Sequence, residues 1–364
     1  MLNLETTDTK TSKEIFTYSN KVCCIADLHI GVHQNSTNWH DTAIKWAKWL
    51  KTELDGQDIK DIFILGDVYH YRDEVAVNTI HVVNEILNIW KNFNIVILVG
   101  NHDAYYKDRS DINSLSILNG KNNITVIDSP TVCTLYGKKL MFLPWGSNIS
   151  DFVSSDIMFG HLEIESFKMN SFKVCDHGIK TAELLERAQL ILTGHFHHRD
   201  ERKYDNGSII YIGNPFEMDF GDTGTTKGYY LLDIPTCSLA FKENNISPKH
   251  KKITITELLN LKQADNQSVH ELINNNIIKI IVDKKITADK IDLLLKKLST
   301  FSPFSLSVDY SVYDDSIVVD EQNYDPTGVD LQKTMEEFVS VLDITNKNDV
   351  ISYCINLYKK VSNL

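Results

Sequence analysis

Leu190-Ile191-Leu192-Thr193-Gly194-His195-Phe196-His197-His198 is an apolar run that ends in a glycine and then presents histidines at i and i+2. The run reads as a buried strand and the glycine as its end. In extended chain, residues i and i+2 point the same way, so His195 and His197 can face one site. A single pair of this kind is as often a packed loop as a ligand site. Four upstream stretches repeat the pattern. Val22–Ala26 runs into Asp27-Leu28-His29, and Ile62–Leu65 into Gly66-Asp67. Ile95–Val99 runs into Gly100-Asn101-His102-Asp103, and Ile157–Phe159 into Gly160-His161. In an open α/β fold, ligands gather outside the carboxyl ends of the strands. Five strands that end this way predict one shared crevice.

Between these strands the period changes. A helix is expected from about His40 to Leu54, with Trp46, Trp49 and Leu50 on one face. Another is expected from about Val75 to Trp90, where Val75, Thr79, Val82, Val83, Ile86, Ile89 and Trp90 form the apolar side. His81 lies in that helix and reads as structural or exposed. Strand, helix, strand, helix, strand predicts βαβ units. From Asn123 to Trp145 short strands and turns suggest a second, more antiparallel sheet. Glu163 to Gly178, which holds His177, reads as an irregular insert. Strands return at Ser208–Ile212, Lys227–Leu232 and Ser238–Phe241.

Residues 1–241 therefore read as one large domain, and the polar Met1–Asn20 as a frayed arm or edge hairpin rather than a signal peptide. A boundary falls near Lys242–Lys252, with Pro248 and the basic run Lys249-His250-Lys251-Lys252. Residues 242–312 read as a small α/β unit with strand Ile277–Val282, helix Ala288–Leu298 and strand Phe304–Tyr310. Residues 313–327 read as an acidic linker. Residues 328–364 read as two short amphipathic helices, which are marginal alone and must pack on this chain or a partner.

The net charge of −12 runs against a basic nucleic-acid-binding surface. The charge is uneven, however. Residues 242–312 carry 11 Lys against 8 Asp and Glu, whereas residues 313–364 carry 4 Lys against 10. Bound divalent cations would offset much of the remaining acidic excess. No apolar run approaches the roughly 20 residues of a membrane span. The cysteines Cys23, Cys24, Cys133, Cys175, Cys237 and Cys354 form no C-x-x-C pair, which predicts a reducing, cytoplasmic setting without disulfides or thiolate zinc.

Asp27, His29, Asp67, Asn101, His161, His195 and His197 suit a site for two metal ions. All offer oxygen or nitrogen, which favours Mn²⁺, Fe or Zn²⁺ over soft metals. Asp67 is central enough to bridge two ions, which would bind a phosphate oxygen and activate water for in-line attack. His102 can give a proton to the leaving group or stabilise its charge. Asp103 can orient His102. Lys107 and Arg109, in the loop after that motif, are candidate phosphate contacts, weighed against a merely solvated loop.

D-x-H, G-D, G-N-H-D, G-H and G-H-x-H in this order resemble the calcineurin-like metallophosphoesterases over roughly the first two thirds of the chain. Within them the chain resembles the nuclease subunits of double-strand-break repair complexes, of the SbcD or meiotic-recombination-eleven type. The layout is most similar to the T-even phage recombination nucleases. His70, three residues after Asp67, matches a histidine those nucleases use to position DNA. Tyr211-Ile212-Gly213-Asn214-Pro215 followed by Lys227-Gly228 resembles their loop behind the site.

The resemblance implies an α/β fold: a two-sheet sandwich flanked by helices, with a small α/β cap and a C-terminal helix pair. It implies Asp27, His29, Asp67 and His197 on one metal, and Asp67, Asn101, His161 and His195 on the other. Two Mn²⁺ come first, ahead of Mg²⁺, Fe or Zn²⁺. It further implies exonuclease and endonuclease action on DNA in repair and recombination. Residues 242–312, including Lys249, Lys251 and Lys252, would form the DNA-facing cap. Residues 328–364 would dock on an SbcC-type ABC ATPase. A homodimer would form through helices such as Val75–Trp90 and Asp111–Leu118, in the host cytoplasm if the chain is phage-encoded. Two alternatives stay open: a phosphatase or phosphodiesterase on a small or protein substrate, and a mainly regulatory DNA-binding subunit. Protein phosphatases of this fold carry an arginine near the place where His70 stands, which disfavours the first.

Overall fold

The structure is a computed structural model and describes residues 15–169, 173–261, 266–310, 339, 347–348 and 350–353. The first sheet is built mainly from the start of the chain. Strand β1 (Lys21–Ile25) leads through a short turn, α1 (Val32–Asn35), into helix α2 (Thr37–Asp55). Strand β2 (Asp61–Ile64), helix α3 (Val77–Ile89) and strands β3 (Asn94–Leu98) and β4 (Ile124–Ile127) follow. The second sheet takes β5 (Thr131–Leu135), β6 (Lys138–Leu143), β7 (Ser155–His161), β8 (Ala188–Gly194), β9 (Asp200–Tyr204) and β10 (Gly207–Tyr211), with helix α4 (Thr181–Leu185) before β8. Strands β11 (Gly228–Asp233) and β12 (Ser238–Glu243) return to the first sheet, whose order is β12-β11-β1-β2-β3-β4.

Strands β1 to β4 run parallel, as the βαβ reading requires. The second sheet, β5-β6-β7-β8-β10-β9, corrects an expectation. Its inner strands β6, β7, β8 and β10 are parallel, and only the edge strands β5 and β9 pair antiparallel. The connections from β6 to β7 and from β7 to β8 are crossovers, not hairpins, and crossovers join parallel strands. The sequence around Tyr136-Gly137 showed the β5–β6 hairpin but not the crossovers that follow it.

Strand alternation explains the layers. Val22, Cys24, Phe63, Leu65, Val96 and Leu98 point to one face of the first sheet. There they meet Leu140, Phe142, Ile157, Phe159, Leu190 and Leu192 of the second. Phe63 sits 5.3 Å from Phe159 and 5.6 Å from Phe142, edge-on to both. Cys23, Ile25, Ile62, Ile64, Ile95 and Ile97 point the other way and are covered by α2 and α3, where Trp46 and Trp90 meet edge to face at 5.9 Å. Both faces of the first sheet are dry, so its strands read as unbroken apolar runs.

The arm expected to fray is partly fixed. Ile15 is buried between the sheets, and the Tyr18 and Ser19 N–H groups donate to the Asp61 carboxylate at 2.9–3.0 Å. Residues 1–14 lie outside the described residues. The basic run at the expected boundary lies mostly in a strand. His250–Thr254 forms strand β13, followed by α5 (Ile255–Leu261), α6 (Asn266–Ile273), β14 (Ile277–Ile281), α7 (Ala288–Ser299) and β15 (Ser305–Asp309). The sheet order is β13-β14-β15. His250 is buried, stacked on Trp39 at 6.0 Å and facing the Glu217 carboxylate at 3.3 Å.

The chain divides into two compact units, residues 1–280 with 286–308, and residues 281–285 with 309–364. In the second, the Val282 N–H donates to the Asp309 carbonyl at 2.8 Å. The linker at 313–327 lies outside the described residues. So does the helix pair at 328–364, apart from 339, 347–348 and 350–353, which are helical. Among the described residues the cysteines are free, and no helix is long and apolar enough to cross a membrane.

Candidate metal centre

The carboxyl ends of the parallel strands bring the seven candidate ligands together. Asp27 and His29 follow β1, Asp67 follows β2, and Asn101 follows β3. His161 ends β7, and His195 and His197 follow β8. Backbone bonds tie the first two loops: the Asp27 N–H donates to the Gly66 carbonyl and the His29 N–H to the Asp67 carbonyl, each at 3.0 Å. Asp27, His29, Asp67 and His195 have φ of 55°, 43°, 54° and 93°. Such left-handed backbone costs about 1–3 kcal/mol per residue and is concentrated at functional sites.

Two glycines allow the crowding. A Cβ on Gly66 would lie 2.1 Å from His161 Nδ1, and one on Gly100 would lie 2.2 Å from Asp67 Oδ1 and 2.3 Å from its backbone nitrogen. Gly100→Ala is therefore expected to displace the Asp67 carboxylate. Overpacking of this kind costs about 1–3 kcal/mol. Thermal unfolding together with metal-dependent hydrolysis checks it: activity should fall far more than stability, and an active variant would show that Asp67 does not need this place.

The donor atoms converge in three overlapping groups, Asp27 with His29 and His197, Asp67 with His161 and His195, and His29 with His70 and His102, of which the first two contain a carboxylate and could each hold an ion. His29 Nε2 and His197 Nε2 face each other at 2.9 Å. Asn101 Oδ1 lies 2.9 Å from His161 Nε2 and 2.8 Å from His195 Nδ1. Asp67 Oδ2 stands between the groups, 3.5 Å from His29 Nε2 and 3.3 Å from His161 Nε2. The remaining ring nitrogens of His161 and His195 have their own partners. His161 Nδ1 donates to the Leu65 carbonyl at 2.7 Å, and His195 Nε2 lies 3.2 Å from Glu163 Oε1. Each ring thus turns its other nitrogen inward, the arrangement that fixes the tautomer of a metal ligand. Nitrogen and oxygen donors, a carboxylate between two clusters and oriented rings fit two divalent cations of the Mn, Fe or Zn kind.

Burial holds the His29, His195 and His197 imidazoles below their ordinary pKa, which keeps them in the neutral, ligating form. Burial also works against charge on His161, but the Asp67 carboxylate outweighs it and raises His161 to about 9. Burial likewise opposes charge on Asp67, yet His161 holds that carboxyl well below the usual carboxylate range. Burial raises Asp27 to about 7, against the pull of His161.

His102 and His70 border the His29 side. His102 Nδ1 donates to the His70 carbonyl at 2.5 Å, and its backbone N–H donates to Asp67 Oδ1 at 2.8 Å. The His70 ring stacks on His102 at 5.6 Å and lies 3.3 Å from His29 Nδ1. Burial lowers His70 to about 4, and the neighbouring His102 adds to this. The structure corrects the role expected for Asp103. Its buried carboxylate accepts the Val68, Tyr69 and Gly100 N–H groups, each at 3.0 Å, so it clamps the Asp67 loop instead of orienting the His102 ring.

Three supporting residues were not foreseen. Glu163 stands two residues after His161, a spacing that would have placed it on the same side. Trp145 lies 5.0 Å from the His195 ring, and nothing in the sequence signals it. Lys227, in the loop noted earlier but given no role there, is buried behind His197. Its Nζ donates to the His197 carbonyl at 2.7 Å, to Asp222 Oδ1 at 2.8 Å and to Asn214 Oδ1. Lys227→Met would leave Asp222 buried without its cation, which costs about 3–5 kcal/mol. Denaturant unfolding should show that loss, and an unchanged midpoint would refute it.

The candidate phosphate contacts are mostly engaged elsewhere. Lys107 is exposed. Arg109 lies 4.1 Å over the Tyr106 ring and 3.1 Å from Asp111. Lys249 pairs with Glu243 at 3.3 Å, Lys251 donates to the Leu272 carbonyl at 3.1 Å, and Lys252 lies 5.7 Å over the Phe220 ring.

Residues 20–199, which carry this donor cluster, match the calcineurin-like phosphoesterase family. The chain carries a domain of that family and is a metal-dependent phosphoesterase. It is 26% identical over 356 residues to exonuclease subunit 1 of Enterobacteria phage T4, covering 93% of this chain and 98% of that protein. It is 23% identical over 265 residues to the SbcD subunit of the SbcCD nuclease of Staphylococcus epidermidis, covering 59% of this chain and 66% of that protein. Among solved structures, a dimetal phosphatase from Danio rerio is 10% identical, with a TM-score of 0.38, covering 58% of this chain and 91% of that chain.

Proposed function

We propose that this chain is the Mn²⁺-dependent nuclease subunit of a DNA repair and recombination complex, acting as exonuclease and endonuclease. One observation carries the reading: seven nitrogen and oxygen ligands from two sheets face one another, with His102 and His70 on the rim. Bound there, two metal ions would activate water and screen phosphate charge. Asp27, His29, Asp67 and His197 would hold one, and Asp67, Asn101, His161 and His195 the other. His102 would protonate the leaving oxygen, held in register by the His70 carbonyl. His70 would position the DNA strand. The names of the phage T4 and Staphylococcus relatives, both subunits of nucleases, support a DNA substrate and a partner subunit.

Residues 242–312 would form the DNA-facing cap, with Lys249 and Lys252 as phosphate contacts. Residues 328–364 would bind an SbcC-type ABC ATPase. Exposed Val77 on α3, and exposed Ile112 and Ile117 in the 111–118 segment, support a homodimer through those helices.

The test is digestion of end-labelled linear duplex DNA by the purified chain in Mn²⁺, with EDTA as control and a small aryl phosphodiester in parallel. Metal-dependent shortening of DNA supports the reading. Hydrolysis of the ester with DNA left intact, even when an ATPase partner is supplied, would replace it with a small-substrate phosphodiesterase.

A further inference from the structure

The loop after Asn101-His102-Asp103 presents two tyrosines to solvent, Tyr105 at 55% and Tyr106 at 38% exposure. Their rings meet edge to face at 5.0 Å. The Arg109 guanidinium lies on Tyr106 at 4.1 Å and is neutralised by Asp111 at 3.1 Å. The loop is fastened to the metal centre. Trp145 Nε1 donates to the Lys107 carbonyl at 2.7 Å, while the same indole packs on His195 at 5.0 Å. A Cβ on Gly146 would lie 2.6 Å from the Asp108 carbonyl, so the backbones of the two loops touch. Exposed aromatic surface is costly in water, and here it is held at a fixed place three residues from His102.

We propose that Tyr105 and Tyr106 form a stacking platform for unpaired bases of the strand that enters the metal centre, an inference that rests on the nuclease reading. Charge argues for a base over a phosphate. Lys107 and Arg109 are matched by Asp108 and Asp111, so the loop has no excess of cations to offer a phosphate backbone. An aromatic face accepts any base, because every base has a π-face, and a guanidinium against the ring extends that surface. The platform therefore recognises frayed or single-stranded ends without reading sequence, and it separates the reacting strand from its complement.

The test compares wild type with the Y105A/Y106A and Y105F/Y106F variants. A single-stranded oligonucleotide with a terminal 2-aminopurine is titrated in EDTA, and Mn²⁺-dependent cleavage of the same oligonucleotide is measured beside hydrolysis of bis(p-nitrophenyl) phosphate. Wild type and the phenylalanine variant should quench the fluorophore. The alanine variant should not, and its KM for the oligonucleotide should rise about 10-fold to 100-fold, as expected for base stacking on an aromatic ring. Its turnover of the small ester, which has no base, should stay within about twofold by the same argument. Quenching by the alanine variant would overturn the proposal. So would equal losses in both variants, which would assign the effect to the hydroxyls. A fall in sedimentation mass of the alanine variant, with oligonucleotide KM unchanged, would assign the face to a second copy of the chain. Ester hydrolysis by wild type that neither binds nor cuts DNA would instead remove the nuclease reading itself.

Discussion

Asp67→Asn is expected to lower metal-dependent phosphodiester hydrolysis by about 10³-fold or more while the protein stays folded. The size follows from the several kcal/mol that metal ions contribute to the transition state, at about 1.4 kcal/mol per tenfold. Asparagine has the shape of aspartate, so its oxygen can keep the His102 N–H now held at 2.8 Å by Oδ1. The other position changes from acceptor to donor. That is the atom standing between His29 Nε2 and His161 Nε2, and Asp67 is the residue that would help hold both ions. An amide hydrogen there repels cations. Calorimetric titration with Mn²⁺ should show fewer or weaker sites, with circular dichroism unchanged. Hydrolysis near the wild-type rate would refute the bridging role.

His102→Ala is expected to separate two substrates. Loss of a general acid costs about 10²-fold to 10⁴-fold when the leaving group needs its proton. The deoxyribose alkoxide released from DNA is strongly basic and needs one. A nitrophenolate does not, so hydrolysis of an aryl phosphodiester should fall much less. The geometry favours this split, because His102 Nδ1 is committed to the His70 carbonyl and Nε2 is the ring nitrogen left for substrate. Equal losses on both substrates would mean that His102 acts through the Asp67 loop, which its N–H also touches, and not through the leaving group.

The candidate ligands could be picked out in the sequence because each follows an apolar run, and the carboxyl ends of parallel strands point one way. Asp27, Asp67, Asn101 and His161 could be read from that rule alone. The pair His195 and His197 needed only the two-residue period of extended chain. The supports were harder to see. Asp103 looked like a partner for its neighbour His102, but a side chain in a tight loop can turn back on the loop's own N–H groups, and this one does. Trp145 and Lys227 reach the centre from remote loops, and no local period reports a contact across such separations. The second sheet was misjudged for a related reason: strand direction is set by crossovers, and the 163–178 insert hides one. The basic run at Lys249–Lys252 read as a domain boundary because charge dominates it. Burial of His250 and Ile253 makes it a strand.

The site draws on both layers of the sandwich. Asp27, His29, Asp67 and Asn101 come from one sheet, and His161, His195 and His197 from the other. Cations seated between them would rivet the sheets at one end, so their binding energy is also docking energy between the layers. Chelation should then loosen that end first. A protease would be expected to find the loops after β7 and β8 before it finds the far side of the sandwich, and resealing by Mn²⁺ would make the cofactor a structural part as well as a chemical one.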